Sequence, residues 1–240
     1  DGLNMDIQFL PGVGPKRAEL LRKELAVETV GDLLRLYPFR YIDRSSFIRI
    51  PDIRPDMAYI QIRAKVLRVD TIEKKRMSAW VSDGAGELEL IFFKGIKWMF
   101  EKLKPGLEFV FFGKPTAFNG RINIVHPEVD PPAQGTAEVS GGWGSMSGVY
   151  TGTERLKNGG ITGKVMNKLM ESALNKGLHE IEETLPEYIM KQQGLVPLHF
   201  ALRNIHFPTD AISLEKARYR LKFEELFYLQ LSLLKQNYVR

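Results

Sequence analysis

From Met57 onward apolar and polar side chains alternate. Ala58, Ile60, Ile62, Ala64 and Val66 fall on one side, and Tyr59, Gln61, Arg63, Lys65 and Leu67 on the other. A period of two predicts a half-buried strand. A second strand is expected near Met77–Val81, followed by a turn at Asp83-Gly84-Ala85-Gly86. A third places Leu88, Leu90 and Phe92 inward and Glu87, Glu89, Ile91 and Phe93 outward. The period then changes. Ile96, Met99, Phe100 and Leu103 stand at i, i+3, i+4, i+7, the stripe of a core-facing helix that Pro105-Gly106 ends. A fourth strand runs Phe109–Phe112 and on to Phe118, Asn119-Gly120 makes a hairpin turn, and Ile122 and Ile124 mark a fifth strand.

Three strands, a helix and two strands is the order of an OB-fold, a five-stranded Greek-key barrel. The fold expected for residues 56–130 is therefore that barrel, in an α+β chain with helical segments on both sides. Residues 1–55 read as short helices. Pro11-Gly12-Val13-Gly14-Pro15 is a tight turn with Pro15 at a helix start, Ala18, Leu21 and Leu25 recur at helical spacing, and Val30, Leu33 and Leu34 mark a second helix. Tyr37-Pro38 stops it, and Phe39–Arg44 follows as an extended connector. Residues 131–148, rich in Gly and Ser, read as a linker or loop. Residues 149–240 are helical again. One stripe comprises Val165, Leu169, Ala173 and Leu174, a short helix runs from Pro197 to Phe207-Pro208, and Ser213 is the expected N-cap of a last helix. That helix meets no stop signal before Arg240, and the chain opens without Met, so a longer natural chain is expected.

Composition removes several functions. The 240 residues include no Cys, which excludes disulfides, a thiolate nucleophile and Cys-type zinc sites and suits a reducing, cytoplasmic setting. The most apolar tract, Leu221–Leu234, carries Lys222, Glu224, Glu225 and Gln230, so no membrane span is expected. Neither Gly-Lys pair, Gly113-Lys114-Pro115 or Gly163-Lys164-Val165, satisfies the phosphate-loop pattern, because Ser or Thr does not follow and Glu108 and Asn158 occupy the required upstream glycine positions. His126, His179, His199 and His206 show no metal-ligand spacing, and Glu180, Glu182 and Glu183 read as a solvated helix face. No catalytic set, metal or cofactor is expected in this chain, which reads as a binding module. A net charge of +5 permits an anionic partner.

Three places carry candidate chemistry. At Gly12 and Gly14, followed by Lys16 and Arg17, backbone amides at a helix start could approach a phosphate. The same turn could instead simply join two packed helices. The loop between the first two strands holds Lys74, Lys75 and Arg76, and the loop between the last two holds Phe118 and Arg121, cations beside an aromatic where OB-folds bind oligonucleotides. Finally, Phe93 shares its strand face with Glu87 and Glu89, and Trp98 lies about 150° from the centre of its helix stripe. With Lys94 and Lys97 between them, these two aromatics form either a platform for unpaired bases or a patch that protein covers.

Several strings, taken in order, resemble the N-terminal region of the RecG family of bacterial ATP-dependent DNA helicases. They include Leu10–Pro15, Val30-Gly31-Asp32-Leu33-Leu34, Tyr37–Arg44, Ser82–Gly86, Phe92-Phe93, His126-Pro127-Glu128, Leu198–Pro208 and Ala217–Leu226. The resemblance implies an OB-fold wedge that grips forks and Holliday junctions. It also implies helicase motor domains beyond this region of the same chain, which would bind ATP and Mg. Phe93 falls on the family's wedge Phe. The second wedge aromatic usually comes four residues later, where this chain has Lys97, so that role passes to Trp98. Two other readings stay open: a stand-alone single-strand DNA- or RNA-binding protein, and a protein-interaction scaffold.

Overall fold

The computed structural model describes residues 2–43, 46–132 and 146–238. In chain order its elements are α1 (Gly14–Leu25), α2 (Val30–Leu34), β1 (Arg40–Asp43), β2 (Ile60–Ile72), β3 (Arg76–Ser82), β4 (Glu87–Phe92), α3 (Ile96–Lys102), β5 (Glu108–Gly113), β6 (Pro115–Phe118), β7 (Arg121–Val125), β8 (Glu128–Asp130), β9 (Met146–Val149), α4 (Glu154–Asn158), α5 (Gly163–Gly177), α6 (Glu187–Gln193), α7 (Leu198–His206) and α8 (Ala211–Tyr238). Contacts divide the chain into two units, one of Asp1–Asp43 with Val139–Arg240, the other of Arg44–Glu138. The two end segments, separate in the sequence reading, thus belong together.

In the discontinuous unit, Leu10, Leu21, Val30, Leu33 and Leu34 from the first segment share one core with Leu156, Met166, Leu169, Met170, Ala173 and Leu174 from the last. Local chemistry sets the helix ends. Thr29 and Asp32 form a capping box on α2, and Thr162 caps α5 through the Val165 N–H. The expected extended connector and the end of the expected linker are strands here: β1 and β9 pair antiparallel, Arg40 opposite Val149. The rest of that linker, residues 133–145, lies outside the described residues. The cap of α8 is Asp210, whose Oδ1 accepts the Ser213 N–H at 2.7 Å, so Ser213 lies inside the helix. Glu183 is no solvated helix residue. It forms an ion pair with fully buried Arg220, which also contacts Glu224, and Glu224 pairs with Arg35 at 2.8 Å. Burial alone would raise the Glu183 carboxyl, but Arg220 and the Leu198 and Leu185 N–H groups outweigh it and bring the pKa to about 2. No helix among the described residues is long and apolar enough to cross a membrane.

The unit of residues 44–138 is built on one sheet in the order β6-β7-β4-β3-β2-β5-β8, with α3 beside it. All neighbours are antiparallel except β4 and β7, which run parallel with Leu90 opposite Ile124. The overall class is a mixed α+β fold with a curled sheet, and that sheet has seven strands where five were expected. Two causes account for the difference. The expected fourth strand breaks: β5 ends at Gly113 beside β2, and β6 begins at Pro115 beside β7, with Lys114 alone between them. Pro115 has no N–H to continue a ladder, and a Cβ on Gly113 would stand 2.5 Å from Ile124 Cγ2. One stretch of chain therefore turns a corner and serves both sides of the sheet, forcing it to curl. The second cause is β8, a short strand added outside β5. Inside lie Ile62, Ala64, Val66, Met77, Ala79, Val81, Leu88, Leu90, Phe92, Phe111 and Ile124, as the alternation predicts for β2 and β4, whereas Ala58, expected on that side, is exposed ahead of β2 and Ile91, expected outward, is buried.

Candidate nucleic-acid interface

The β2–β3 connection is a three-residue turn, Glu73-Lys74-Lys75, with Ile72 opposite Arg76. Lys75 N–H donates to the Ile72 carbonyl at 3.0 Å, and Glu73 and Lys74 take φ of 51° and 57°. Two successive left-handed residues are the type I′ turn that suits twisted strands, and that turn normally uses Asn-Gly. The β6–β7 hairpin has that pair, with Asn119 and Gly120 at 51° and 74°. The first hairpin instead has Glu-Lys, two side chains in a backbone region that costs a non-glycine residue about 1 kcal/mol or more. The gain is a lysine at the tip.

Phe93 follows the last residue of β4. Its N–H donates to His126 Nε2 at 3.1 Å, so that nitrogen is an acceptor and the imidazole is neutral with its proton on Nδ1. His126 is itself held in place. Its N–H reaches the Ile91 carbonyl at 2.8 Å, its φ is 50°, and its ring meets Phe92 edge-on and lies 6.1 Å from the Phe93 ring. Partial burial, with the Lys94 charge adding to it, holds the His126 pKa below the ordinary value. Gly95, at φ 62°, then reverses the chain into α3.

These elements meet in a groove of about 520 Å³ lined by Thr71 and Lys74 from the first hairpin and by Phe93, Gly95, Ile96, Lys97 and Phe100. Lys74, Phe93 and Lys97, far apart or differently assigned in sequence, thus come together. Phe93 is 52 % exposed. Phe100 is a groove-lining aromatic that the sequence pattern does not single out. It was assigned to the helix core, yet it is 44 % exposed, with the Lys104 ammonium over its ring at 5.2 Å. Leu103 is buried, and Ile96 and Met99 pack against the same core, which leaves Phe100 free for the groove. The signal was available in principle: α3 spans two turns, and a short helix of that length needs fewer than four core contacts.

The remaining candidates are dispersed. Trp98 is 63 % exposed but does not line the groove; Lys102 sits over its ring at 4.8 Å. Lys94 is exposed beside His126. Lys75 is exposed at the first hairpin, and Arg76 is half-buried with an Nε that has no hydrogen-bond partner among the described residues. Phe118 and Arg121 flank the second hairpin, Phe118 exposed and Arg121 reaching Trp80 on β3. In the other unit, Gly12 and Gly14 have φ of 92° and 69°, as a tight turn requires. A Cβ on Gly12 would stand 3.3 Å from Leu169, and Arg17 Nη1 donates to the Gly12 carbonyl at 2.8 Å. Gly12 and Arg17 are thereby engaged in packing and in closing the turn, while Lys16 is exposed.

The profile of the RecG wedge domain matches residues 6–175. The chain belongs to the RecG wedge family. The resemblance drawn from the ordered strings is thereby confirmed. The ATP-dependent DNA helicase RecG of Thermotoga maritima is 33 % identical over 236 residues, covering 96 % of this chain and 29 % of the relative. RecG of Escherichia coli K12 is 30 % identical over 238 residues, covering 95 % and 33 %. Among solved structures, RecG bound to a three-way DNA junction matches with a TM-score of 0.70 and 32 % identity, covering 99 % of this chain and 32 % of that one. The chain therefore spans about a third of the length of the RecG proteins it matches.

Proposed function

We propose that this chain is the branched-DNA-binding wedge region of an ATP-dependent DNA helicase that remodels stalled forks and Holliday junctions in recombination and repair, in the cytoplasm. The observation that carries the reading is the groove that exposed Phe93 and Phe100 line together with Lys74 and Lys97. Aromatic faces accept unpaired bases of any sequence, and flanking ammonium groups hold the phosphates on either side. At a branch point, where bases lose their stacking partner, Phe93 caps the last base, Phe100 forms the opposite wall, and Trp98 lies outside as a further stacking surface. Lys75, Arg76, Phe118 and Arg121 extend the contact along the two hairpins. Taking β5 and β6 as halves of one strand, and β8 as an added edge, makes residues 56–130 a five-stranded OB-fold wedge. The turn at Gly12 and Gly14 adds at most a phosphate contact through Lys16.

The motor domains of the longer chain are the wedge's second partner, reached through residues 149–240, and ATP and Mg belong to them. Neither Gly-Lys pair forms a phosphate loop: a Cβ at Gly113 would meet Ile124, and Gly163 opens a Thr-capped helix. No His or carboxylate cluster suited to a metal ion stands among the described residues.

The test is competition for a labelled three-way fork against duplex and single strand of matched length, at two salt concentrations. The fork should win and all binding should weaken with salt. Phe93→Ala and Phe100→Ala should each lower fork affinity roughly tenfold, from ~1–3 kcal/mol of stacking per base. Duplex affinity should barely change, and Trp98→Ala should cost less. Single strand competing as well as the fork would instead mark a general strand binder, and salt-insensitive or absent binding would point to a protein partner.

A further inference from the structure

Strand β2 contains one irregularity: its pairing with β3 shifts between Val66 and Arg68, so Leu67 is an extra residue. Strict alternation from Ala64 and Val66 would send Arg68 inward. The bulge reverses this and places Arg68 on the outer face, directly opposite Trp80. The Arg68 guanidinium lies 4.8 Å from the centre of the Trp80 ring. Arg121, from the start of β7, approaches the same ring at 5.9 Å. Both arginines are exposed, and neither forms an ion pair among the described residues. Two carboxylates stand near by register: Glu89, cross-strand from Trp80 on β4, and Asp70, two residues beyond Arg68 on the same face of β2 opposite Ser78. Two cations thus converge on one half-buried indole.

The register fixes where this cluster lies relative to the groove. Ser78 and Trp80 share the outer face of β3, and Met77 on β3 pairs with Phe92, the residue before Phe93. Arg76, at the Phe93 end, and Trp80 are four residues apart, about 13 Å at ~3.3 Å per residue. That gap equals about four nucleotides at ~3.4 Å each. We propose that Trp80, with Arg68 and Arg121, is a second base-stacking subsite that receives the unpaired strand as it leaves the branch point, across the outer face of β3. The arginines hold the phosphates flanking the base stacked at Trp80, and Glu89 keeps phosphate off the side toward β4. This rests on the branched-DNA reading and adds to it a path for one strand.

Two forks test it, one carrying a single-stranded arm of ten thymidines and one with every arm paired, each titrated with the 240-residue chain and its variants. Trp80→Ala should weaken binding of the armed fork about tenfold and leave the fully paired fork unchanged. Trp80→Phe should restore most of the loss. Arg68→Ala should reduce the salt slope for the armed fork by about one. If Trp80→Ala folds poorly, Arg68→Glu, which alters only an exposed side chain, should give the same selective loss. Equal loss on both forks, or no loss on either, overturns the subsite while leaving the branched-DNA reading intact. Failure of the wild-type chain to bind either fork overturns both.

Discussion

Two histidines use a ring nitrogen as a hydrogen-bond acceptor, and protonation has a different consequence at each. His126 Nε2 accepts from Phe93, and its pKa is held below the usual value, so the bond is intact at neutral pH. Acidification below that lowered pKa turns the acceptor into a donor and releases Phe93. Preference for fork over duplex should therefore fall with pH in the wild type. In His126→Gln, whose amide oxygen accepts at any pH, the preference should stay flat; equal pH dependence in both proteins would remove His126 from the role. His206 is fully buried, with Nε2 2.7 Å from the Leu34 carbonyl and Nδ1 2.6 Å from the Tyr150 hydroxyl, so Nε2–H donates and Nδ1 accepts. Burial brings its pKa to about 4, despite the opposing pull of the Leu34 carbonyl. The unfolded chain takes up this proton near pH 6.5 and the folded chain does not. Stability is thus complete above about 6.5 and falls by ~3 kcal/mol on going down to about 4. Glu183 contributes in a lower window, from about 4.5 down to 2, so the two are separable. Urea midpoints for the wild type at pH 7 and pH 4.8 should differ clearly. A midpoint that moves only below pH 4.5 would assign acid sensitivity to carboxylates instead.

The two hairpins show how the same turn geometry serves different ends. Asn119-Gly120 adopts the left-handed pair at low cost, as its sequence announced. Glu73-Lys74 adopts it against preference, and no periodicity or turn rule marks that pair as a type I′ turn. The strain is tolerated where Lys74 enters the groove, and strained residues collect at binding sites. Glu73→Asn keeps Lys74 and relieves one strained residue, so it should raise stability by ~0.5–1 kcal/mol, read as a higher urea midpoint, with fork affinity unchanged. Lys74→Gly should stabilise similarly but weaken fork binding, a trade of stability against function. If Glu73→Asn stabilises nothing, the turn is not strained. At this scale the sequence was most readable in β2, β3 and β4, where a buried face imposes a period of two. It was least readable where one stretch serves two neighbours: alternation through residues 109–118 runs on past Gly113, and only the packing against Ile124 explains the corner. The bulge at Leu67 escaped for the same reason, since one inserted residue looks like ordinary alternation interrupted.

Across the molecule, legibility follows sequence distance. The aromatics of the site stood out locally because Phe93 broke its strand pattern and Trp98 its helix pattern. The groove did not, because it depends on the hairpin at Lys74 meeting α3, and Phe100 looked like core until the helix proved short. Nor could the sequence join residues 1–43 to 139–240, or find the partner of Glu183 thirty-seven residues away in Arg220. Function divides in the same way between diffuse charge and local shape. With 34 Lys and Arg against 29 Asp and Glu, net charge is too small for bulk attraction, so under the proposed function DNA affinity comes from cations placed along one surface. Each phosphate contact adds about one to the slope of log affinity against log salt and carries no information about branching. Lys74→Ala and Lys97→Ala should therefore weaken fork and duplex alike and lower that slope by about one each, leaving the ratio of the two affinities unchanged. Phe93→Ala should do the reverse, leaving the slope intact and collapsing the ratio. Measuring fork and duplex affinities over a salt series for the three variants separates the two roles. A lysine variant that alters the ratio, or a Phe93 variant that alters the slope, would mean that charge and stacking act through one contact, not through two sets of side chains lining the same groove.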